Sequence, residues 1–392
     1  MSFGFARRRI IAAMEKLPPP AIIDRAENLS GLLSALRDLP RIGVDTESNS
    51  LYVYRERVCL LQISTPDQDY LVDPFKLPDL SGLKTVFENP RMEKVFHAAE
   101  YDLICLRRDF GFRIRGLFDT HAAARSLGIK EYGLNALLIA EFGVKLDKTM
   151  QRANWGKRPL PDRQIEYARF DTHYLIPLRD RLAERVYSAG YQDELRDEFE
   201  RLENLPELES EEPDGDPFWR LRGMQELAPA QRAVLLSLFE WRENEAQKMD
   251  RPPFHILPVE VMTKLAREAP NSLADLANSG LNEHNAKQYG KSILQAVERG
   301  KTLPPPKHNR NGGMDDQSQA RLEALRKWRK KRAEARGVES DVILCRDAMF
   351  RIARHSPQSI AALSEIPGVG AFRLKTYGAE ILAALNGSTH SG

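Results

Sequence analysis

Ile42-Gly43-Val44-Asp45-Thr46-Glu47 is a short apolar run that ends on two carboxylates set two residues apart. In an extended chain, residues i and i+2 project to the same side, so a strand here turns Asp45 and Glu47 toward one target. Two more acidic clusters lie far along the chain. His97-Ala98-Ala99-Glu100-Tyr101-Asp102 follows the candidate strand Lys94-Val95-Phe96-His97, and Tyr167-Ala168-Arg169-Phe170-Asp171 closes the series. Pro161-Asp162 is a helix start signal, and Ile165, Ala168, Tyr174 and Leu175 continue a helical pattern that Pro177 should kink or end. Tyr167 and Asp171, spaced i and i+4, then share a helix face. Gathering carboxylates is costly unless a cation joins them. Hard divalent cations prefer oxygen ligands, and two of them about 3.5–4 Å apart can clamp the attacking and leaving oxygens of a phosphodiester. The pattern therefore predicts metal-dependent nuclease chemistry.

Working outward, Val58-Cys59-Leu60-Leu61-Gln62-Ile63 and Tyr70-Leu71-Val72 read as strands separated by the turn-rich Ser64-Thr65-Pro66-Asp67. After Asp102 the pattern turns helical, with Leu103, Leu106 and Phe110 on one face and further helices over 122–127 and 134–142. Strands clustered early and helices later predict an α/β domain, a mixed sheet flanked by helices.

The bulk properties set bounds. A chain of 392 residues fits two to three domains, and 42% hydrophobic residues suffice for their cores. The net charge of +2 does not by itself announce a nucleic-acid binder. Cys59, Cys105 and Cys345 are odd in number and far apart, which excludes a disulfide framework and a zinc site and predicts a reducing compartment. No apolar run reaches membrane-spanning length, so no membrane partner is expected. The first 14 residues carry Arg7–Arg9 but no long apolar region, against a secretory signal. A cytoplasmic location is expected, an organellar leader being the alternative. The oligomeric state is not legible, and a monomer is the simplest expectation.

Two breaks divide the chain. Glu209-Ser210-Glu211-Glu212-Pro213-Asp214-Gly215-Asp216 reads as a solvated acidic linker, and Pro304-Pro305-Pro306-Lys307-His308-Asn309-Arg310-Asn311-Gly312-Gly313 as a second one. The segments they bound look like copies of each other. Leu235, Leu238 and Trp241-Arg242 match Leu322, Leu325 and Trp328-Arg329, and 29 residues separate Trp241 from Pro270 as they do Trp328 from Pro357. Tyr289-Gly290 with Ile293-Leu294 matches Tyr377-Gly378 with Ile381-Leu382. A tandem duplication of a small helical module is the reading. The expected organisation is an N-terminal extension over 1–19, a first domain over 20–205, a linker over 206–216, helical modules over 217–301 and 317–387 joined by a linker over 302–316, and a tail over 388–392.

The order and spacing of the motifs in 20–205 resemble the DEDDy branch of the DEDD 3′→5′ exonucleases, specifically the ribonuclease D family. Asp45-Thr46-Glu47, His97 to Leu103, Phe118-Asp119-Thr120, Tyr132-Gly133-Leu134-Asn135, Leu146-Asp147-Lys148-Thr149 and Asn154-Trp155 carry the likeness, and Pro159-Leu160-Pro161, Gln164, Tyr167-Ala168 and Asp171 are its most specific block. The resemblance implies an RNase H-like fold. It implies that Asp45, Glu47, Asp102 and Asp171 hold two Mg²⁺ or Mn²⁺ ions, with Asp45 bridging both. It also implies that Tyr167 orients or helps deprotonate the attacking water. A free tyrosine is a weak base, so most of the activation must come from metal. His97 reads as a packed strand histidine more readily than as a ligand, Glu100 as solvent-facing, and Asp119 as a structural position. Lys148, Arg152, Trp155, Lys157 and Arg158 form a basic segment with an aromatic, suited to phosphates and a stacked base; Trp155 reads equally well as core.

Each helical copy resembles an HRDC domain, which implies auxiliary nucleic-acid binding. The second copy holds Arg326-Lys327-Trp328-Arg329-Lys330-Lys331-Arg332, and from this run Arg329, Lys330 and Lys331 are candidate phosphate contacts. Ile366-Pro367-Gly368-Val369-Gly370 is a second candidate, because Gly368 and Gly370 let backbone N–H groups approach a phosphate. The first copy, more acidic around Trp241 and with Ser279-Gly280-Leu281-Asn282 at the matching turn, is expected to bind weakly. The resemblance implies an exoribonuclease that releases nucleoside 5′-monophosphates from RNA 3′ ends, with tRNA precursors or other structured RNA as substrate. A DNA 3′→5′ exonuclease, or a nucleic-acid binding protein with a dead catalytic domain, are the competing readings.

Overall fold

A computed structural model describes residues 17–205, 217–307 and 314–387, which fall into two compact units. One unit contains 17–48, 58–205 and 314–387; the other contains 49–57 and 217–307. Most of the N-terminal extension, the whole acidic linker 206–216, part of the second linker and the tail 388–392 lie outside the described residues.

The first unit is built on a six-stranded sheet, β1 (Ala21–Ile23), β2 (Arg41–Ser48), β3 (Val58–Ser64), β4 (Asp69–Val72), β5 (Glu93–Phe96) and β6 (Leu117–Asp119), in the order β1-β4-β3-β2-β5-β6. The sheet is mixed, as the sequence predicts: β2–β3 and β3–β4 are antiparallel, while β1–β4, β2–β5 and β5–β6 are parallel. Every residue of β3 is buried, because helices cover both faces. On one face, Ile42, Val44, Leu61 and Ile63 pack with Leu29 and Leu32 of helix Ala26–Leu36 and with Leu103 and Leu106 of helix Glu100–Phe110. On the other, Val95 and Phe118 pack with Leu175, Leu178 and Leu182 of helix Leu175–Ala189, and Leu60 packs with Ala168 of helix Asp162–His173.

Helix 162–173 starts after the extended Pro161 and ends at Tyr174, where the chain restarts as helix 175–189 with Pro177 in its first turn. Proline lacks the N–H that would extend the earlier helix, and a first turn does not need it. A buried polar network sets the register of helix 162–173 on the sheet. Asp69 of β4 accepts from Arg169 Nε (2.7 Å) and Ser64 Oγ (2.7 Å) and hydrogen-bonds His173 Nδ1 (3.0 Å), and Ser64 Oγ also meets Thr172 Oγ1 at 2.6 Å. Removing one partner from such a buried ion pair costs roughly 3–5 kcal/mol.

The two helical copies repeat each other element by element. In the second unit, helices Pro229–Lys248, Pro253–Ile256, Val259–Glu268, Leu273–Ala277 and Glu283–Thr302 surround Leu235, Leu238, Met262, Leu265 and Ile293. Residues 49–57 belong to this unit, where the Tyr54 hydroxyl donates to Glu243 (3.3 Å). The other copy comprises Asp316–Arg336, Ser340–Ile343, Arg346–His355, Ile360–Ser364 and Ala371–Gly387. Trp241 meets Tyr289 edge-on at 5.8 Å and 73°, and Trp328 meets Tyr377 at the same 5.8 Å and 73°. Left-handed Ala269 (φ 45°) and Ser356 (φ 48°) end the equivalent third helices. The duplication legible in the sequence is thus a duplication of packing.

Candidate active site

The strand pairing exposes the acidic end of β2. Parallel β5 accompanies β2 only through Arg41, Ile42 and Gly43, so Asp45, Thr46 and Glu47 run past their parallel neighbour and pair with β3. Alternation puts Gly43, Asp45 and Glu47 on the face of helix 162–173, and Thr46 on the face of helix 100–110. Thr46 Oγ1 there donates to Asp102 Oδ1, which draws a carboxylate from the first turn of that helix to the same strand end. From the other face, helix 162–173 brings Tyr167 and Asp171, joined by a hydrogen bond in which the phenol donates.

The turn that carries Asp102 is itself clamped. Asp119, at the end of β6, accepts from the N–H groups of Ala98 and Ala99 (3.0 Å each) and caps the next helix through His121 N (2.8 Å). Ala98 sits at φ 62°, a left-handed conformation unfavourable for alanine that these bonds sustain. His97 hydrogen-bonds Thr120 Oγ1 (3.0 Å) and stacks edge-on with His121. Burial, and then His121, push its pKa to about 3, so it is a neutral packing residue. Glu100 is exposed and paired with Arg201 at 2.9 Å.

The electrostatics are those of like charges confined together. Burial and then the charges of Asp102, Asp171 and Glu47 raise the Asp45 carboxyl well above its ordinary value. Burial, then Asp171 and Asp102, push Glu47 to about 9. Asp102 and Asp171 each rise to about 7, chiefly through burial, against the hydrogen bonds from Thr46 and Tyr167. Burial and the carboxylates of Asp171, Glu47 and Asp45 raise the Tyr167 phenol above its usual range. The four carboxylates share one field without closing into a cage: among the described residues, no three His, Cys, Asp or Glu side chains form a ready ligand set. A separate cavity of about 280 Å³, lined in part by Asp119, Arg125, Glu194, Arg201, Cys345 and Arg373, includes none of the four.

Residues 20–187 match the family described as 3′-5′ exonuclease, and 231–297 and 318–385 each match the HRDC domain. Ribonuclease D of Desulfotalea psychrophila is 28% identical over 81% of this chain and 86% of its own length. The crystal structure of Escherichia coli RNase D, an exoribonuclease involved in structured RNA processing, superposes with a TM-score of 0.68 at 25% identity, covering 94% of this chain and 99% of that one. The chain is a ribonuclease D homologue, a 3′-5′ exonuclease domain followed by two HRDC domains. The exosome complex exonuclease RRP6 of Saccharomyces cerevisiae is 33% identical over 71% of this chain but 40% of its own length, so the chain spans well under half of that curated relative.

Within this ribonuclease D homologue, several residues expected to contact nucleic acid are engaged elsewhere. Trp155 is 1% exposed, buried against Leu60, Leu71 and Ala168 with its ring 5.9 Å from Tyr167, so it backs the tyrosine and cannot stack on a base. The Arg158 guanidinium grips Asp73 (2.6 and 2.9 Å) and the Cys59 and Trp155 carbonyls, a structural clamp. Lys148, Arg152 and Lys157 are exposed. In the second HRDC domain, Arg329 donates to the Leu344 carbonyl (2.9 Å) and is half-buried, whereas Lys330 and Lys331 are exposed.

Gly368 and Gly370 face protein, and the expectation of a phosphate there is corrected. The amide groups of Phe372 and Arg373, which open helix 371–387, donate to Asp197 at 3.2 and 3.0 Å. A Cβ on Gly370 would lie 2.1 Å from the Asp197 carboxyl carbon, and one on Gly368, at φ 88°, would meet Cys345 Sγ at 3.1 Å. An anion does occupy that helix start, as the turn's chemistry implies, but it is a carboxylate of the exonuclease domain. Arg336 with Glu194, and Arg125 with Glu339 (2.8 Å) and Asp341, pair the same two domains.

Thr46 and Gly43 are the site residues to which the sequence reading assigned no role, whereas Asp119 is the structural position it was read as. The signal in each case was position: Thr46 and Gly43 alternate with the acids on β2, and Asp119 ends a strand ahead of a helix.

Proposed function

We propose that this chain is a divalent-metal-dependent 3′→5′ exoribonuclease that removes nucleoside 5′-monophosphates from the ends of structured RNA, with tRNA precursors as the substrate class. The observation that carries this reading is the common field of Asp45, Glu47, Asp102 and Asp171, drawn from β2 and from helices on both faces of the sheet. An all-carboxylate oxygen set whose members raise one another's proton affinity fits a hard cation, which relieves the repulsion. Two Mg²⁺ or Mn²⁺ ions held there would supply an activated water and screen the charge of the phosphate being cleaved.

The chain's own groups divide the remaining work. Asp45 and Glu47 project from one strand face toward a common target, and Thr46 aims Asp102 at the same strand end. The Tyr167 phenol has a raised proton affinity and spends its one O–H on Asp171, so it is not the base; its oxygen is left to orient the attacking water by accepting a hydrogen bond from it. Exposed Lys148, Lys157, Lys330 and Lys331 are available to RNA phosphates. The Escherichia coli relative, an exoribonuclease involved in structured RNA processing, and the yeast exosome complex exonuclease support RNA as substrate. Free Cys59, Cys105 and Cys345 suit a cytoplasmic setting.

The test is digestion of 3′-labelled RNA and DNA strands of equal sequence with Mg²⁺ or Mn²⁺, by the parent chain and by Asp45→Ala. Shortening of RNA from its 3′ end, with mononucleotide release that Asp45→Ala abolishes while RNA binding persists, is expected. Digestion by Asp45→Ala at the parental rate would overturn the catalytic assignment, and faster digestion of DNA would overturn the substrate class.

A further inference from the structure

Gln62 lies in the middle of β3 directly opposite Asp45, and it is completely shielded from solvent. Opposed residues of an antiparallel pair send their side chains to the same face, so the Gln62 carboxamide stands beside Asp45 under helix 162–173. Its neighbours along that face have partners of their own. Leu60 packs against Trp155 and Ala168, and Ser64 Oγ meets both Asp69 and Thr172. Neither Oε1 nor Nε2 of Gln62 has a hydrogen-bond partner among the described residues. A buried polar group left unpaired is destabilising relative to an apolar side chain of the same size. Asp69, Arg169, His173, Ser64 and Thr172, further along this interface, are paired. Trp155 Nε1 is also buried without a partner among the described residues, but it lies among apolar side chains, whereas Gln62 stands opposite Asp45 at the border of the acid cluster.

We infer that Gln62 is a positioning residue for Asp45: its Nε2 donates to the ionised carboxylate and holds it in the orientation that grips a divalent cation. An amide donor to a carboxylate makes a charge-assisted hydrogen bond, and the facing register of Gln62 and Asp45 puts the two side chains within reach of each other. Partners that orient metal-ligating side chains typically change affinity by about 10- to 100-fold when removed. The inference rests on the metal-dependent reading above.

The test is Gln62→Met in the full chain, which keeps length and removes both polar atoms. Thermal unfolding in chelator reports the fold, and titration with Mn²⁺ followed by calorimetry reports cation affinity. A merely structural Gln62 predicts unchanged Mn²⁺ affinity. The positioning role predicts an unfolding temperature in chelator equal to or above the parent's, with Mn²⁺ affinity lowered about ten-fold. A folded Gln62→Met chain that binds Mn²⁺ like the parent overturns the inference. A crystal structure of the parent chain with Mn²⁺ tests it without any variant: Nε2 within hydrogen-bond distance of Asp45 supports it, and Nε2 bonded only elsewhere overturns it. Asp45→Ala separates the two levels. Mn²⁺ binding lost in Asp45→Ala but intact in Gln62→Met sinks the role of Gln62 alone. Undiminished binding in Asp45→Ala, or no binding by the parent, sinks the metal reading with it.

Discussion

Gly43 of β2 lies so close beneath Thr172 that a Cβ added to it would stand 2.9 Å from the Thr172 carbonyl oxygen and 3.3 Å from Leu175 Cβ. The helix that carries Tyr167 and Asp171 therefore rests on the strand that carries Asp45 and Glu47 with nothing between them. Gly43→Ala must lift that helix, because the obstacle is backbone and cannot rotate away. Stability should fall by about 1–3 kcal/mol, the usual cost of overpacking. Turnover should fall further, on the order of 100-fold, since a small displacement of catalytic groups is that costly. Steady-state kinetics beside thermal unfolding checks this, and parental turnover in a folded Gly43→Ala chain would show that the two elements need not touch.

Thr46 ties Asp102 to β2, and its hydroxyl can be removed without changing its shape. Thr46→Val leaves a buried carboxylate short of a donor, at a cost of roughly 1–3 kcal/mol. Cation affinity should drop about ten-fold, as for other groups that orient a ligand, while Thr46→Ser retains the bond and should restore it. Mn²⁺ titration of both variants decides the point, and equal affinities for Val and Ser would detach Thr46 from the site.

How much of this was legible beforehand differs by element. The alternation through Ile42 to Glu47 and the i, i+4 spacing of Tyr167 and Asp171 are local properties, and the strand and helix stand where they were expected. The duplication was equally open, since matching residues recur at a fixed separation. Trp155 was not decidable, because an aromatic among basic residues looks the same whether it stacks on a base or fills a core; only the packing of Leu60, Leu71 and Ala168 around it settles its place. The turn at Gly368 and Gly370 was read as a phosphate site and is instead filled by Asp197, which lies 175 residues before Phe372 and which no local pattern announces. Gln62 looked like one more strand residue until its register against Asp45 was known.

The acid cluster predicts an unusual pH dependence for the protein in chelator. Glu47 is pushed to about 9, and Asp102 and Asp171 to about 7, against ordinary carboxyl values near 4. Over that interval the folded chain holds protons that the unfolded chain has released. Stability from these groups is full below about pH 4 and is lost as pH rises through the folded values. The unfolding temperature in chelator should therefore decline between about pH 6 and pH 9. Mg²⁺ should recover more of it at pH 8 than at pH 5, because protons compete for the same oxygens. Replacing Asp45 with Asn should flatten the decline. A flat profile in the parent chain would mean that the carboxylates do not repel one another as their shared field requires.

The second HRDC domain offers a cleaner test of RNA binding than its whole basic run. Arg332 is committed to Glu380, and Arg329 to the Leu344 carbonyl, so reversing either charge would disturb the fold and weaken binding for the wrong reason. Among the described residues Lys330 makes a long, exposed pairing with Glu334 at 3.9 Å, and Lys331 is exposed. Such surface pairs contribute little, about 0–1 kcal/mol. Lys330→Glu with Lys331→Glu should leave the unfolding temperature nearly unchanged. If these lysines neutralise RNA phosphates, affinity should fall at low salt. The slope of log affinity against log salt should then shrink by about one to two, one for each phosphate no longer neutralised. Activity on a short single strand that reaches only the exonuclease domain should persist, whereas processing of a long structured RNA should slow. An unchanged salt slope would assign this helix face to solvent and move the search for the RNA path to Lys148 and Lys157.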